Sequence, residues 1–368
     1  MTERADRPTY RERHIDAKSV KEKKVQAVTI HGIRDIRVEE VPDPELRDPQ
    51  DALVQVTHAA ICGSDLWAYR GVSPREPGQR IGHEFIGVVT EIGRDVQHLR
   101  RGDLVIAPFM WSDGECRQCR AGWHTSCAQS GAWGQPGADG GQGEAVRVPF
   151  ADATLVRVPA TMDDAVLPAL LTLADVLSTG HHGALASGVT PGDHVIVVGD
   201  GAVGLCGVLA ARRLGAERVV LLGHHTERIE IARRFGAETY IGRSDSVVEE
   251  MRELTHGHGF DRVVEAVGTA QSLRTAISLA ADGGTVGFVG VPHGGDGSVD
   301  LRQMFYRNVA VRGGVAPVRA YIPDLLSDVL TGELDAAAVF DHTIALDGVP
   351  RAYAKMEQRE VLKALIRF

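Results

Sequence analysis

The hexapeptide Gly199-Asp200-Gly201-Ala202-Val203-Gly204 constrains the fold more than any other stretch. An apolar run, His194–Val198, precedes it, and helix-forming residues from Leu205 to Leu214 follow. A lone G-x-G-x-x-G is a weak signal, but a strand before it and a helix after it give it a mechanism. Gly199, Gly201 and Gly204 let backbone approach a pyrophosphate, and Ala202 and Val203 open the helix whose first amides favour an anion. Strand-like runs recur at Val219–Leu222, Thr239–Ile241, Val263–Val267, Thr285–Val289 and Val309–Arg312, with helical segments between them. Such alternation predicts a doubly wound parallel sheet of the Rossmann kind, an α/β architecture. Cys206, on the first helix, reads as a small core residue.

A chain of 368 residues suggests about two domains. The formal net charge of −9 argues against general affinity for nucleic acid or an anionic membrane. The longest apolar runs are strand-length, short of the roughly 20 residues of a membrane span. Residues 1–24 carry eight Lys or Arg and five Asp or Glu, with no apolar run of the kind a secretory signal has. They read as a flexible N-terminal tail. Five cysteines, three of them clustered, make no even disulfide framework, so metal ligation in a reducing, cytoplasmic setting is expected.

Upstream of the glycine turn the period changes to two. Val25–Ile30, Ile36–Val38, Leu53–Thr57, Phe85–Ile92, Leu104–Ala107 and Ala145–Val148 read as strands, with few helices among them. Leu53–Thr57 delivers Ile61-Cys62-Gly63-Ser64-Asp65, and a loop later comes Gly82-His83-Glu84-Phe85. Cys62 and His83 suit Zn²⁺, Asp65 is placed to hold the second ring nitrogen of a ligating histidine, and Ser64 can carry a proton. Farther on, Asp113-Gly-Glu-Cys116-Arg-Gln-Cys119 and Cys127 form a second zinc-like cluster.

On the two spaced motifs at Cys62 and His83, the chain resembles the zinc-dependent medium-chain alcohol dehydrogenases over nearly all of its length after residue 24. The resemblance implies a GroES-like β-rich catalytic domain (25–176 with 317–368) and a Rossmann dinucleotide-binding domain (177–316), paired as a homodimer or homotetramer. It implies that Asp175, ahead of Leu177-Ser178-Thr179-Gly180, is the third ligand of a catalytic zinc, with Thr179 supporting the nicotinamide. Glu84 would either enter that coordination transiently or stand behind it. The family has four cysteines in a structural zinc lobe, and Asp113 takes the place of the first. Either an Asp-Cys₃ site holds zinc or the lobe holds none. Lys363, in the expected terminal strand Val361–Arg367, matches a position that contacts the pyrophosphate.

Two departures concern chemistry. Many relatives carry a histidine where Trp67 stands, and an indole cannot accept a proton; with Phe109, Trp67 reads instead as an apolar wall for substrate. Cofactor choice follows from Gly223, which falls where NAD-binding relatives have an acidic residue. With Glu227 the first acid after it, and His224, His225 and Arg228 nearby, NADP is expected to be favoured over NAD. The implied activity is zinc-dependent hydride transfer between a small alcohol, or its aldehyde or ketone, and NAD(P). A polyol or formaldehyde dehydrogenase is the alternative within the family. A non-catalytic zinc and dinucleotide-binding protein is the alternative outside it. The third possibility, a zinc-free quinone reductase on the same fold, lacks the ligands found at Cys62, His83 and Asp175.

Overall fold

The computed structural model describes residues 24–159, 164–242, 246–293 and 299–368. The polar lead, apart from Lys24, and residues 161–163 of the expected Thr161–Thr179 helix lie outside them.

Alternation sets the first layer. The strand Ala52–Ala60 buries Ala52, Val54 and Val56, with Ala59 and Ala60 buried at its end. It pairs antiparallel with Glu84–Ile92, with Ala145–Val148 and with Ala364–Arg367. These belong to a seven-stranded sheet that also holds Leu104–Ala107, Val156–Arg157 and His342–Ala345. A smaller sheet joins Lys24–Gly32 to Asp35–Pro42 and Gln79–Arg80. The terminal strand is shorter than expected. Leu362 and Lys363 donate their backbone N–H groups to Asp341 at 2.8 and 3.1 Å, so pairing starts only at Ala364.

The second layer is a six-stranded, all-parallel sheet in the order Glu238–Ile241, Arg218–Gly223, His194–Val198, Phe260–Glu265, Ala280–Phe288, Ala310–Gly313. Strand order reverses beside His194–Val198, which opens a crevice at the carboxyl ends of the strands. Phe260–Glu265 stops two residues before the expected Val267. The Glu265 carboxylate accepts from the N–H groups of Val267 and Gly268, both at 2.8 Å, and turns the chain.

The helix expected over Thr161–Thr179 is two helices, Leu167–Thr172 and Val176–Ser187. Asp175 lies between them with φ −150° and ψ −79°, outside helical space, and caps the second. That break turns its side chain into the cleft. Val176–Ser187 then packs on the glycine-turn helix Ala202–Arg213 and on the parallel sheet. One helix thus spans from one candidate site toward the other.

Candidate active site and metal centres

At the end of Ala52–Ala60 the chain turns through Cys62 into a short helix, Asp65–Tyr69. The turn is fixed by Asp65, whose Oδ2 accepts from the Cys62 N–H at 2.9 Å and from Gln142 at 3.2 Å. Asp65 Oδ1 lies 3.0 Å from His83 Nδ1, which leaves Nε2 facing inward. Nε2 stands 3.4 Å from Asp175 Oδ2, and Cys62 Sγ is 3.4 Å from the same oxygen. Ser64 Oγ is 3.5 Å from Nε2. Ligand atoms of Cys62, His83, Glu84 and Asp175 all lie within 4.8 Å of one another. Thr179 donates its hydroxyl to Asp175 Oδ1 at 2.7 Å.

The electrostatics suit a cation. Burial pushes the Cys62 thiol up to about 11, and the Asp175 and Glu84 carboxylates beside it add to the rise. Burial also works against the Asp175 carboxylate, but its hydrogen bond and charge contact with His83 outweigh that and bring it to about 2. A soft thiol, an imidazole with its second nitrogen occupied and a buried carboxylate form a donor set that fits Zn²⁺. Glu84 is fully buried and its Oε2 has no partner within the described residues.

Lys363 lies behind the metal cluster. It is 1% exposed, and its Nζ donates to Glu84 Oε1 at 2.6 Å and to the Ile61 carbonyl at 3.4 Å. Burial opposes its charge, yet Glu84, Cys62 and Asp175 hold it above the usual lysine range. Its ammonium therefore pairs with the carboxylate behind the metal cluster while lining the cavity that also holds Gly201, Ala202 and Val203. Arg359, which carried no motif in the sequence, lines both the active-site cavity and the adjoining one.

A cavity of about 610 Å³ runs from Cys62, His83 and Asp175, past Trp67, Phe109 and Thr179, to Gly201, Ala202 and Val203. Phe109 meets the His83 ring edge-on, with centroids 6.4 Å apart. Val291, His293 and Met356 also line it; they belong to no local motif and reach it only through the fold. An adjoining cavity of about 510 Å³ is lined by Gly199, Asp200, His224, His225 and Arg228.

No acid was expected near Gly223, yet a Cβ at Gly223 would sit 2.7 Å from both Cβ and Oδ2 of Asp200. The Asp200 carboxylate accepts from the N–H groups of His224 and His225 at 2.6 and 2.8 Å, and lies 3.0 Å from His225 Nδ1 and 3.7 Å from Arg228. Burial disfavours its charge, but these hydrogen bonds hold the carboxyl below its usual range. The glycine at 223 makes room for an acid supplied by the glycine turn itself.

In the second cluster, ligand atoms of Asp113, Cys116, Cys119 and Cys127 likewise lie within 4.8 Å of one another. Asp113 Oδ1 accepts from the N–H groups of Glu115 and Cys116 at 2.9 and 3.0 Å. Those bonds, the Cys116 one foremost, hold its carboxyl well below the usual range. The Cys127 sulfur accepts from the Asp113 and Gln129 N–H groups at 3.4 and 3.3 Å.

The alcohol dehydrogenase GroES-like domain family matches residues 48–160, and the zinc-binding dehydrogenase family matches residues 202–331. Zinc-type alcohol dehydrogenase B of Aspergillus flavus is 32% identical over 354 residues, spanning 94% of this chain and 82% of its own. Among solved structures, an alcohol dehydrogenase from a Thermus species is 34% identical at a TM-score of 0.88, over 93% of this chain and 99% of that one. A zinc-binding dehydrogenase from Sinorhizobium meliloti, solved bound to NADP, is 29% identical at a TM-score of 0.81, over 94% and 100%. A β-rich domain, a doubly wound sheet, a thiol–imidazole–carboxylate cluster and these matches converge: the chain is a zinc-dependent oxidoreductase and belongs to the zinc-type alcohol dehydrogenases of the medium-chain dehydrogenase/reductase family.

Proposed function

We propose that the protein oxidises a small, largely apolar alcohol, or reduces the matching aldehyde or ketone, in the cavity between Trp67, Phe109 and Asp175. The observation that carries this reading is the single continuous cavity joining the Cys62–His83–Asp175 cluster to the glycine-turn helix. Zinc, when bound, supplies Lewis acidity toward the alcohol oxygen, and a nicotinamide, when bound, supplies the hydride acceptor. The chain's own residues do the rest. Asp65 holds His83 in one tautomer, Thr179 steadies the Asp175 carboxylate, and Ser64 takes the hydroxyl proton. Glu84, tied to Lys363, stands behind the cluster. Apolar lining at Trp67, Phe109, Val291 and Met356 favours an alcohol over a polyol.

Both cofactors are accepted in this reading, with NADP ahead. Gly223 leaves the usual acidic position empty and Arg228 with the two histidines can receive a 2′-phosphate, while Asp200 narrows the margin. The lobe at Asp113 holds a second zinc. The catalytic unit comprises 25–176 with 317–368, the cofactor unit 177–316. A reducing cytoplasmic setting accords with five free thiols and with no described helix long and apolar enough to cross a membrane. The edge strand Ala310–Gly313 and the exposed Leu301, Phe305 and Tyr306 beside it suit pairing with a second copy. Light scattering would then give a dimer or tetramer, and Phe305→Asp with Tyr306→Asp a monomer; a monomeric unmodified protein refutes the pairing.

The deciding experiment measures cofactor reduction across primary alcohols, polyols and formaldehyde, together with zinc content. Turnover with alcohols that disappears on chelation is expected. Zinc-replete protein inert toward every substrate and both cofactors would sink the reading.

A further inference from the structure

Trp67 and His293 face each other across the cleft, with ring centroids 4.3 Å apart and planes tilted by 49°. Trp67 is on the short helix Asp65–Tyr69. His293 follows the parallel strand Ala280–Phe288, and its backbone bridges to Thr269, with its N–H donating to the Gly268 carbonyl at 2.9 Å. Both side chains line the cavity that holds Ser64, His83 and Thr179. The cofactor-binding half of the molecule thus sets an imidazole against the indole that stands where many relatives have a histidine.

The ring's hydrogen bonding defines its chemistry. His293 Nδ1 lies 2.7 Å from the Val291 carbonyl oxygen. A carbonyl only accepts, so Nδ1 must carry the hydrogen, and the neutral ring has its lone pair on Nε2. In that tautomer the nitrogen that takes up a proton is Nε2. Among the described residues, the helix side of this part of the cavity carries Arg70, 5.4 Å over the Trp67 ring and paired with Glu357 at 2.6 Å. Arg359 and Arg228 stand farther round, Lys363 is tied to Glu84, and Asp175 with His83 closes the inner end.

We propose that His293 Nε2 is the proton acceptor at the solvent end of the relay that begins at Ser64. In alcohol oxidation the C–H bond breaks with its electron pair, which leaves as hydride to NAD(P)⁺. The O–H bond breaks heterolytically, its pair forms the carbonyl π bond, and the proton leaves through Ser64. Water along the cavity passes that proton to Nε2, and the imidazolium then releases it to solvent; reduction runs the same path in reverse. The inference rests on the dehydrogenase reading above.

Two measurements test it. In the first, His293→Phe retains an aromatic ring against Trp67 but no acceptor. Its kcat for alcohol oxidation near pH 7 should fall by about tenfold or more, recover as pH rises, and be rescued by added imidazole. Trp67→His combined with His293→Phe should restore the loss from the opposite wall, and His293→Gln serves if the phenylalanine variant folds poorly. The second uses the enzyme without substrate or cofactor. Protonation of Nε2 quenches the adjacent indole, so tryptophan emission should drop on acidification, and that drop should vanish in His293→Phe and in Trp67→Phe. A wild-type pH profile in His293→Phe without any imidazole response overturns the proposal, as does a fluorescence titration unchanged by either substitution. If no alcohol is oxidised at all, the dehydrogenase reading falls, while the fluorescence titration still reports on the ring.

Discussion

Asp200 shows how a single residue can sit in plain view and still be misread. In the sequence it is the variable position of a glycine turn, 24 places before His224. Space, not order, puts it under Gly223, which is why no periodicity or spacing exposes it. With its charge shared among two backbone N–H groups, His225 and Arg228, it competes with an incoming 2′-phosphate for the same donors. Asp200→Asn should therefore raise kcat/KM for NADP relative to NAD by about tenfold, or roughly 1.4 kcal/mol of differential binding; an unchanged ratio in steady-state kinetics would show that Asp200 only shapes the loop. The metal clusters were far more legible, because thiols and imidazoles have few other reasons to recur at such spacings. Metal analysis should find two zinc ions per chain. Asp175→Ala and Asp113→Ala should each lose one, and only the former should abolish turnover. One zinc in the unmodified protein would leave the Asp113 lobe empty.

Among the elements, the central parallel strands His194–Val198 and Arg218–Gly223 were readable almost to the residue, since burial on both faces leaves continuous Val, Ile and Leu runs, whereas Phe260–Glu265 and Ala280–Phe288 begin three and five residues before their apolar runs. The helix leading to Asp175 was not. Its apolar spacing runs on through the break, where the Ser178 hydroxyl donates to the Leu173 carbonyl at 2.8 Å and ties the two halves together. The second half matters for more than its cap. Gly180 rides so close on the glycine-turn helix that a Cβ there would lie 2.5 Å from the Gly207 nitrogen. Gly180→Ala should push the two helices apart, costing about 1–3 kcal/mol of stability. Because Asp175 and Thr179 precede it on the same helix, kcat should fall with it. Unchanged melting temperature and kcat would mean that the crossing has slack.

For the molecule as a whole, the β-rich and parallel layers were both foreseen, but the contacts joining them were not, because Trp67 and His293 meet, and Arg359 reaches their cavity, only in three dimensions. Stability also depends on groups outside the cavity lining. His181 is buried beside Tyr321, with Nδ1 unpartnered among the described residues, and burial, then the charges of Arg213 and His182, lower it to about 4. Above pH 6.5 it is neutral folded or unfolded and contributes nothing to the pH dependence. Between about 6.5 and 4 the unfolded chain takes up a proton that the folded one refuses, so acid removes up to about 3 kcal/mol. Denaturant melts at pH 7 and 5 should show about 2 kcal/mol of that loss, smaller in His181→Gln; equal losses would assign it to other groups. The returning strand has a consequence of another kind. Ala364–Arg367 closes the sheet on Ala52–Ala60, and Lys363 reaches a Glu84 that is 279 positions earlier. On the ribosome, the strands flanking Cys62 and His83 emerge before the parallel unit but lack their neighbour Ala364–Arg367 until after it. The parallel unit, contiguous from His194 to Gly313, has no such wait. The sheet begun before the parallel unit is thus completed after it, and Glu84 gains its lysine only once the cofactor platform can already stand.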